Sequence, residues 1–268
     1  AARLGEAVEL TPNHGSYFQV EPVGRADGSF EVIWRNGNGE YPITQSVHIG
    51  TGGAVSAPQN LGTSNQFNND DQTIAMGANG IATAAWTEWN GTSNVLKLAR
   101  INPAGNHWKP VSVTSTANPY HPVVAVAPDG TSTVAWVYEA SGSYRSRLAR
   151  VTTALKVGAA VEIGPAGQSL VQGFAPALAV APNGTATVVW TTVKPGGFPQ
   201  AVYLQAMKVD AKGARTAPQN VVTPAQGTGD LEHGAAVTVA ADGTAVIAYL
   251  RRSVFDFTVS TLRQSTWK

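Results

Sequence analysis

Six carboxylates in this 268-residue chain, Asp70, Asp71, Glu88, Glu139, Asp230 and Glu232, fall in polar segments that interrupt its apolar runs. Two such groups facing each other across a cleft are the equipment of glycoside hydrolysis, set about 5 Å apart for retention or about 6.5–9.5 Å apart for inversion. Around them stand flat and hydrogen-bonding side chains suited to holding a sugar: Tyr17, Phe18, Tyr120, His121, Tyr138, Phe174 and His233. Trp89 lies in the polar stretch from Thr87 to Ser93, beside Glu88 and Asn90. There its indole face can stack on a sugar ring while carboxylate or amide takes the hydroxyls; the alternative role is to cover a loop. The run Asn68-Asn69-Asp70-Asp71 offers oxygen donors to calcium, but it lacks the spaced D-x-D-x-D-G pattern and reads as a solvated loop. His14, His121 and His233 lack the spacing of a zinc site, so neither metal nor cofactor is expected.

The elements that must position these groups repeat. Asp27-Gly28, Asn79-Gly80, Asp129-Gly130, Asn183-Gly184 and Asp242-Gly243 each join two apolar runs, and the turn glycines are 52, 50, 54 and 59 residues apart. A period of this length marks an array of like units. Asn-Gly and Asp-Gly between apolar runs signal a two-strand hairpin, with a type I′ turn as the expected form. Two further apolar runs follow in each unit, such as Asn94 to Asn102 and Lys109 to Thr116, which makes four strands. The fifth unit ends after three, and Gly5 to Pro12 supplies a matching fourth strand from the other end of the chain.

These counts predict an all-β, five-bladed β-propeller in one domain over residues 1–268, with four antiparallel strands per blade. The repeats run approximately over 18–63, 72–116, 122–165, 175–224 and 234–268, with residues 5–12 completing the last blade and closing the ring. The recurring aromatics Trp34, Trp86, Trp136, Trp190 and Tyr249 end strands that are apolar on both faces, so packing between blades is their expected role. The loops leading into each first strand differ most between repeats. Ten residues before the turn glycines stand Phe18, Asp70, Tyr120, Phe174 and His233, which places a ring of side chains at one mouth of the channel.

Charged residues make up 13% of the chain and the formal net charge is +1, without the basic stripe that neutralises phosphates, so nucleic acid is not an expected partner. No apolar run is long enough to cross a bilayer as a helix, and no membrane insertion is expected. The absence of cysteine removes thiol catalysis, disulfides and thiolate metal sites. No Walker loop, dinucleotide fingerprint or G-x-S-x-G elbow is present.

The blade pattern, best preserved from Val123 to Trp136 and from Ala177 to Trp190, resembles bacterial repeat-type five-bladed propellers of the secreted, lectin-like actinobacterial kind. That resemblance implies a secreted carbohydrate-binding module recognising a glycan or cell-surface polysaccharide through its variable loops. Two alternatives stand beside it. One is a polysaccharide-degrading glycoside hydrolase or lyase; the other is a non-catalytic, protein-binding subunit of a secreted assembly such as a toxin particle.

Overall fold

The computed structural model describes residues 9–11, 17–37, 42–63, 71–114, 118–164, 169–170, 175–193, 202–222, 231–252 and 260–267. No helix occurs among them; twenty strands form five antiparallel sheets. The first sheet contains β1 (Tyr17–Gly24), β2 (Phe30–Asn36), β3 (Ile43–Ile49) and β4 (Gln59–Asn60) in that order. The second repeats the order with β5 (Gln72–Met76), β6 (Ala82–Trp89), β7 (Asn94–Ile101) and β8 (Val111–Ser112). The third does so with β9 (Pro119–Val126), β10 (Ser132–Ala140), β11 (Ser143–Val151) and β12 (Val161–Ile163).

In the fourth sheet the first position is divided between β13 (Ser169–Leu170) and β14 (Ala177–Val180), which pair different ends of β15 (Ala186–Val193). It continues with β16 (Val202–Val209) and β17 (Gln219–Val222). The fifth sheet holds β18 (Leu231–Val239), β19 (Ala245–Arg252) and β20 (Ser260–Trp267), three strands among the described residues.

The five Asp-Gly and Asn-Gly turns differ from the expected type I′. The Gly28 amide donates to the Arg25 carbonyl at 3.0 Å and the Arg25 amide to the Ser29 carbonyl at 2.7 Å, and only Gly28 has a positive φ, 87°. This is a three-residue hairpin, a type I turn closed by a glycine in the left-handed region. Asp27 Oδ1 accepts the Ser29 amide at 2.9 Å, and Asn79, Asp129, Asn183 and Asp242 repeat that bond. Their side chains build turns, and building them is what selects Asp or Asn at this position.

The core lies between the sheets. Trp34, Trp86, Trp136 and Trp190 are each only 2% exposed and Tyr249 7%. Each tryptophan contributes about 4–6 kcal/mol of apolar burial. Leu61 of the first sheet joins the cluster of Trp86, Val113 that of Trp136, Ile163 that of Trp190 and Val221 that of Tyr249. Leu10 joins the cluster of Trp34 in the same manner.

A second device ties neighbouring sheets at the turn end. Arg100 of β7 donates through Nη2 to the Gly130 carbonyl at 2.7 Å and to the Thr152 carbonyl at 3.1 Å. Arg150 of β11 reaches the carbonyls of Gly184 at 3.0 Å and Asp210 at 2.7 Å, and Lys208 of β16 reaches Gly243 at 3.3 Å. Each cation thus holds the turn glycine of the next sheet.

The first boundary is built differently, because β3 carries His48 where the others carry Arg or Lys and β2 carries Glu31 where they carry Thr. Arg25 supplies the missing cation, donating to the carbonyls of Gly80 at 2.8 Å and Asn102 at 3.0 Å. It also donates to Glu31 Oε2 and to His48 Nδ1, both at 3.1 Å. Glu31 is fully buried and its Oε1 has no partner, and burial pushes its carboxyl up to about 7 despite Arg25. Burial and then the Arg25 charge lower the His48 imidazole, so it remains neutral and accepts from Arg25. The matching pair of the fifth sheet is Val246 and Thr266, which has no cation.

Candidate functional site

At the loop end of the first strands the register breaks. Pairing shifts between Phe18 and Glu21 in β1, between Tyr120 and Val123 in β9, and between His233 and Ala236 in β18. At these bulges Gln19, His121 and Gly234 have φ of 50°, 48° and 65°. All three stand nine residues before a turn glycine, as does Asp71. Left-handed backbone at a glutamine and a histidine costs on the order of 1–3 kcal/mol each, and a bulge re-aims side chains near a site.

Two of the bulged positions meet Asp71 across sheets. His121 donates its backbone amide to Asp71 Oδ2 at 2.7 Å, and its Nδ1 lies 3.0 Å from the same oxygen. The Gln19 side chain adds a hydrogen bond to Asp71 from the other neighbour. Burial alone would raise the Asp71 carboxyl, but the hydrogen bonds from His121 and Gln19 and the imidazole charge hold it below its ordinary value. The Asp71 hydrogen bond raises His121 above its ordinary value against the effect of burial. Arg35 is buried beside them; burial lowers its guanidinium and the Asp71 charge opposes that.

Glu21, in the bulged part of β1, accepts the Ile74 amide of β5 through Oε2 at 3.2 Å. Burial raises its carboxyl above the usual range, with the Ile74 bond acting in the opposite direction. Sequence reading passed over Glu21 because it lies inside a strand. The available signal was its repeat position, where the other units have Thr73, Val123, Ala177 and Ala236. Arg35 was missed in the same way, and Gln19 closes an entry loop without having been singled out.

The remaining anticipated residues are spread along this end. Tyr17 and Phe18 open β1 and His233 lies in β18, each defined here by strand position. Asp70, Phe174, His14 and Asp230 lie outside the described residues. Glu88 accepts the Trp86 indole N–H at 3.2 Å and the Thr63 amide at 3.1 Å. A Cβ on Gly62 would come within 2.7 Å of that carboxylate, so the glycine makes the approach possible. Trp89 ends β6 opposite Asn94 and is partly exposed. Tyr120 meets the Tyr144 ring edge-on at 6.3 Å between centroids. Tyr138 is 3% exposed, donates to Glu162 at 2.6 Å and carries the Arg147 guanidinium 4.2 Å from its ring centroid.

Asp71, Arg35, Gln72 and Glu88 line a polar cleft of about 10 Å³ between the first two sheets. A larger cavity of about 700 Å³ opens at the turn end, walled by Met76, Val126, Val180 and Val239 with Pro128 and Pro182 at its rim. Its two charged lining groups, Arg25 and Asp27, are consumed by the turn hydrogen bonds already described. Apart from Glu31 and His48, enclosed at the first turn-end boundary, the shifted Glu21, Asp71 and His121 gather at the loop end.

No protein-family model and no curated protein sequence matches the chain. Among solved structures, the α-L-arabinanase of Penicillium chrysogenum complexed with arabinobiose superposes with a TM-score of 0.57 at 11% identity, over 88% of this chain and 78% of that one. The fold is a β-propeller. The propeller also superposes on the GH93 α-L-arabinofuranosidase of Fusarium graminearum with arabinobiose, with a TM-score of 0.54 at 12% identity over 94% and 83% of the two chains. A puromycin hydrolase gives 0.50 at 18% identity, over 96% of this chain and 40% of that one. Such identities establish a common fold, and a fold hosts unlike chemistries.

Proposed function

We propose that the chain cleaves glycosidic bonds of a polysaccharide at the loop end of its propeller, with Glu21 as general acid and Asp71 as general base. The observation that carries this reading is a pair of carboxylates on one strand edge in opposite environments. Asp71 precedes β5 and is held ionised by donors; Glu21 reaches across from β1, half-buried, to the Ile74 amide three residues farther along. Environments that push two carboxyls apart assign an acid and a base.

Three residues of strand span ~10 Å, near the ~6.5–9.5 Å that leaves room for water in an inverting enzyme. Glu21 gives its proton to the leaving oxygen as the glycosidic bond breaks. Asp71 takes a proton from the water that attacks the anomeric carbon from the opposite side.

The superposed arabinan-acting enzymes, two of them named with bound arabinobiose, make pentose polysaccharides the first substrates to try. A second reading, a lectin-like binder, is favoured by the partly exposed Trp89 beside Glu88. Both readings suit an extracellular protein, the localisation that the resemblance to secreted repeat-type propellers implies.

We also read the ring as five blades in one domain, closed by residues 5–12 as the fourth strand of the last. The support is Leu10, which joins the Trp34 cluster as Leu61 joins that of Trp86.

The test is incubation with arabinan and a panel of other plant and microbial polysaccharides, followed by chromatography and by NMR of the first anomer released. Shortened products with inverted configuration support the hydrolase. Intact glycan retained by the wild type and lost in Trp89→Ala would replace it with the lectin, and an inert chain would overturn both.

A further inference from the structure

We propose that His121 is the positioning residue of this site, fixing the Asp71 carboxylate from two directions at once; the proposal rests on the hydrolase reading for its catalytic meaning alone. The backbone amide and ring Nδ1 of one residue converge on one oxygen, Asp71 Oδ2, at 2.7 and 3.0 Å. An ordinary strand cannot do this, because amide and side chain leave in different directions. The left-handed φ of 48° at His121, inside the β9 bulge, turns both toward the second sheet.

The partners lie fifty residues apart in the chain, so the contact forms only when the second and third sheets are docked. It locks the orientation of Asp71 at the channel mouth and sets its charge state. The other charged groups at this end are Arg35 from β2, Glu88 from β6 and Glu21 from β1, with Gln19 as a neutral donor from β1. Of these, His121 alone approaches Asp71 with a titratable cation that is also hydrogen-bonded to it. Its side chain is 29% exposed, so it remains in exchange with solvent. Where Asp71 titrates, His121 is protonated, so its imidazolium charge and N–H both favour the Asp71 carboxylate.

Two variants separate the roles of the ring. His121→Ala keeps the backbone amide and removes the ring donor. His121→Asn tolerates left-handed backbone and returns an N–H close to the Nδ1 position, without the charge. The readout is the titration of the Asp71 side-chain carboxyl carbon in ¹³C-aspartate-labelled full-length protein, assigned with Asp71→Asn. Loss of an adjacent cation and its hydrogen bond is expected to raise the Asp71 titration midpoint by about one unit or more in His121→Ala. His121→Asn is expected to recover part of that shift.

If hydrolysis is observed, the acid limb of kcat/KM moves upward by the same amount in each variant, with KM less affected than kcat. An Asp71 midpoint unchanged in a folded His121→Ala protein would overturn the proposal. A midpoint that moves in a chain cleaving no glycan would retain the Asp71–His121 coupling and discard the hydrolase.

Discussion

The two ends of this propeller use its repeats in opposite ways. At the turn end every unit has the same glycine hairpin, and Arg25, Arg100, Arg150 and Lys208 repeat one contact to the next turn glycine. At the loop end three units bulge at one repeat position, at Gln19, His121 and Gly234, and a fourth carries Asp71 there, four different chemistries. Repetition at the first end satisfies the backbone carbonyls that sheet docking buries. Divergence at the second gathers unlike groups, as an acid, a base and a positioning residue require. The left-handed φ values of Gln19 and His121 have no glycine to relieve them, so part of the chain's backbone strain lies where the chemistry is proposed.

The sharpest way to break this contrast is Glu21→Gln. Its amide oxygen still accepts the Ile74 amide and mimics the neutral acid, so folding is expected to stand while hydrolysis falls about 10²- to 10⁴-fold, measured as initial rate beside a urea melt. A destabilised protein of normal activity would move Glu21 into the structural class.

Arg100→Met reverses the pattern. It leaves the buried carbonyls of Gly130 and Thr152 without their donor, at an expected cost of about 3–4 kcal/mol in urea unfolding, with hydrolysis by the folded fraction unchanged. A loss below about 1 kcal/mol would mean that the clamp is dispensable.

The smallest expected effect concerns the odd boundary of the turn end. Glu31 rises from 4.5 to about 7 on folding. The folded state therefore binds the proton more tightly, and the resulting stability is complete below pH 4.5 and lost as the pH climbs through 7. Glu31→Gln removes this dependence, and the wild type is expected to weaken relative to it by about 2–3 kcal/mol between those limits. Parallel melting curves for the two proteins across pH 4–8 would contradict the buried-acid assignment.

Much of the fold was legible in the residues. The Asp-Gly and Asn-Gly pairs located all five hairpins, and the period of about fifty residues gave five units, each with a buried aromatic at its second strand. The turn type was misjudged because type I and type I′ hairpins both favour Asp-Gly, and loop length, which distinguishes them, depends on pairing across the turn. The site was legible only by neighbourhood. Asp71 and His121 were among the residues singled out, but the pair they form, and Glu21, Gln19 and Arg35 around it, were not.

The sequence by itself determined an all-β array of like units, because turn geometry and strand alternation are local and recur wherever the same few residues recur. Only the tertiary structure decided which side chains share the loop end. A bulge adds one residue to one strand and so changes which face each neighbour takes, an adjustment that composition does not announce. The contacts that hold Asp71, His121 and Glu21 in place join residues about fifty positions apart, and no local rule reaches that far.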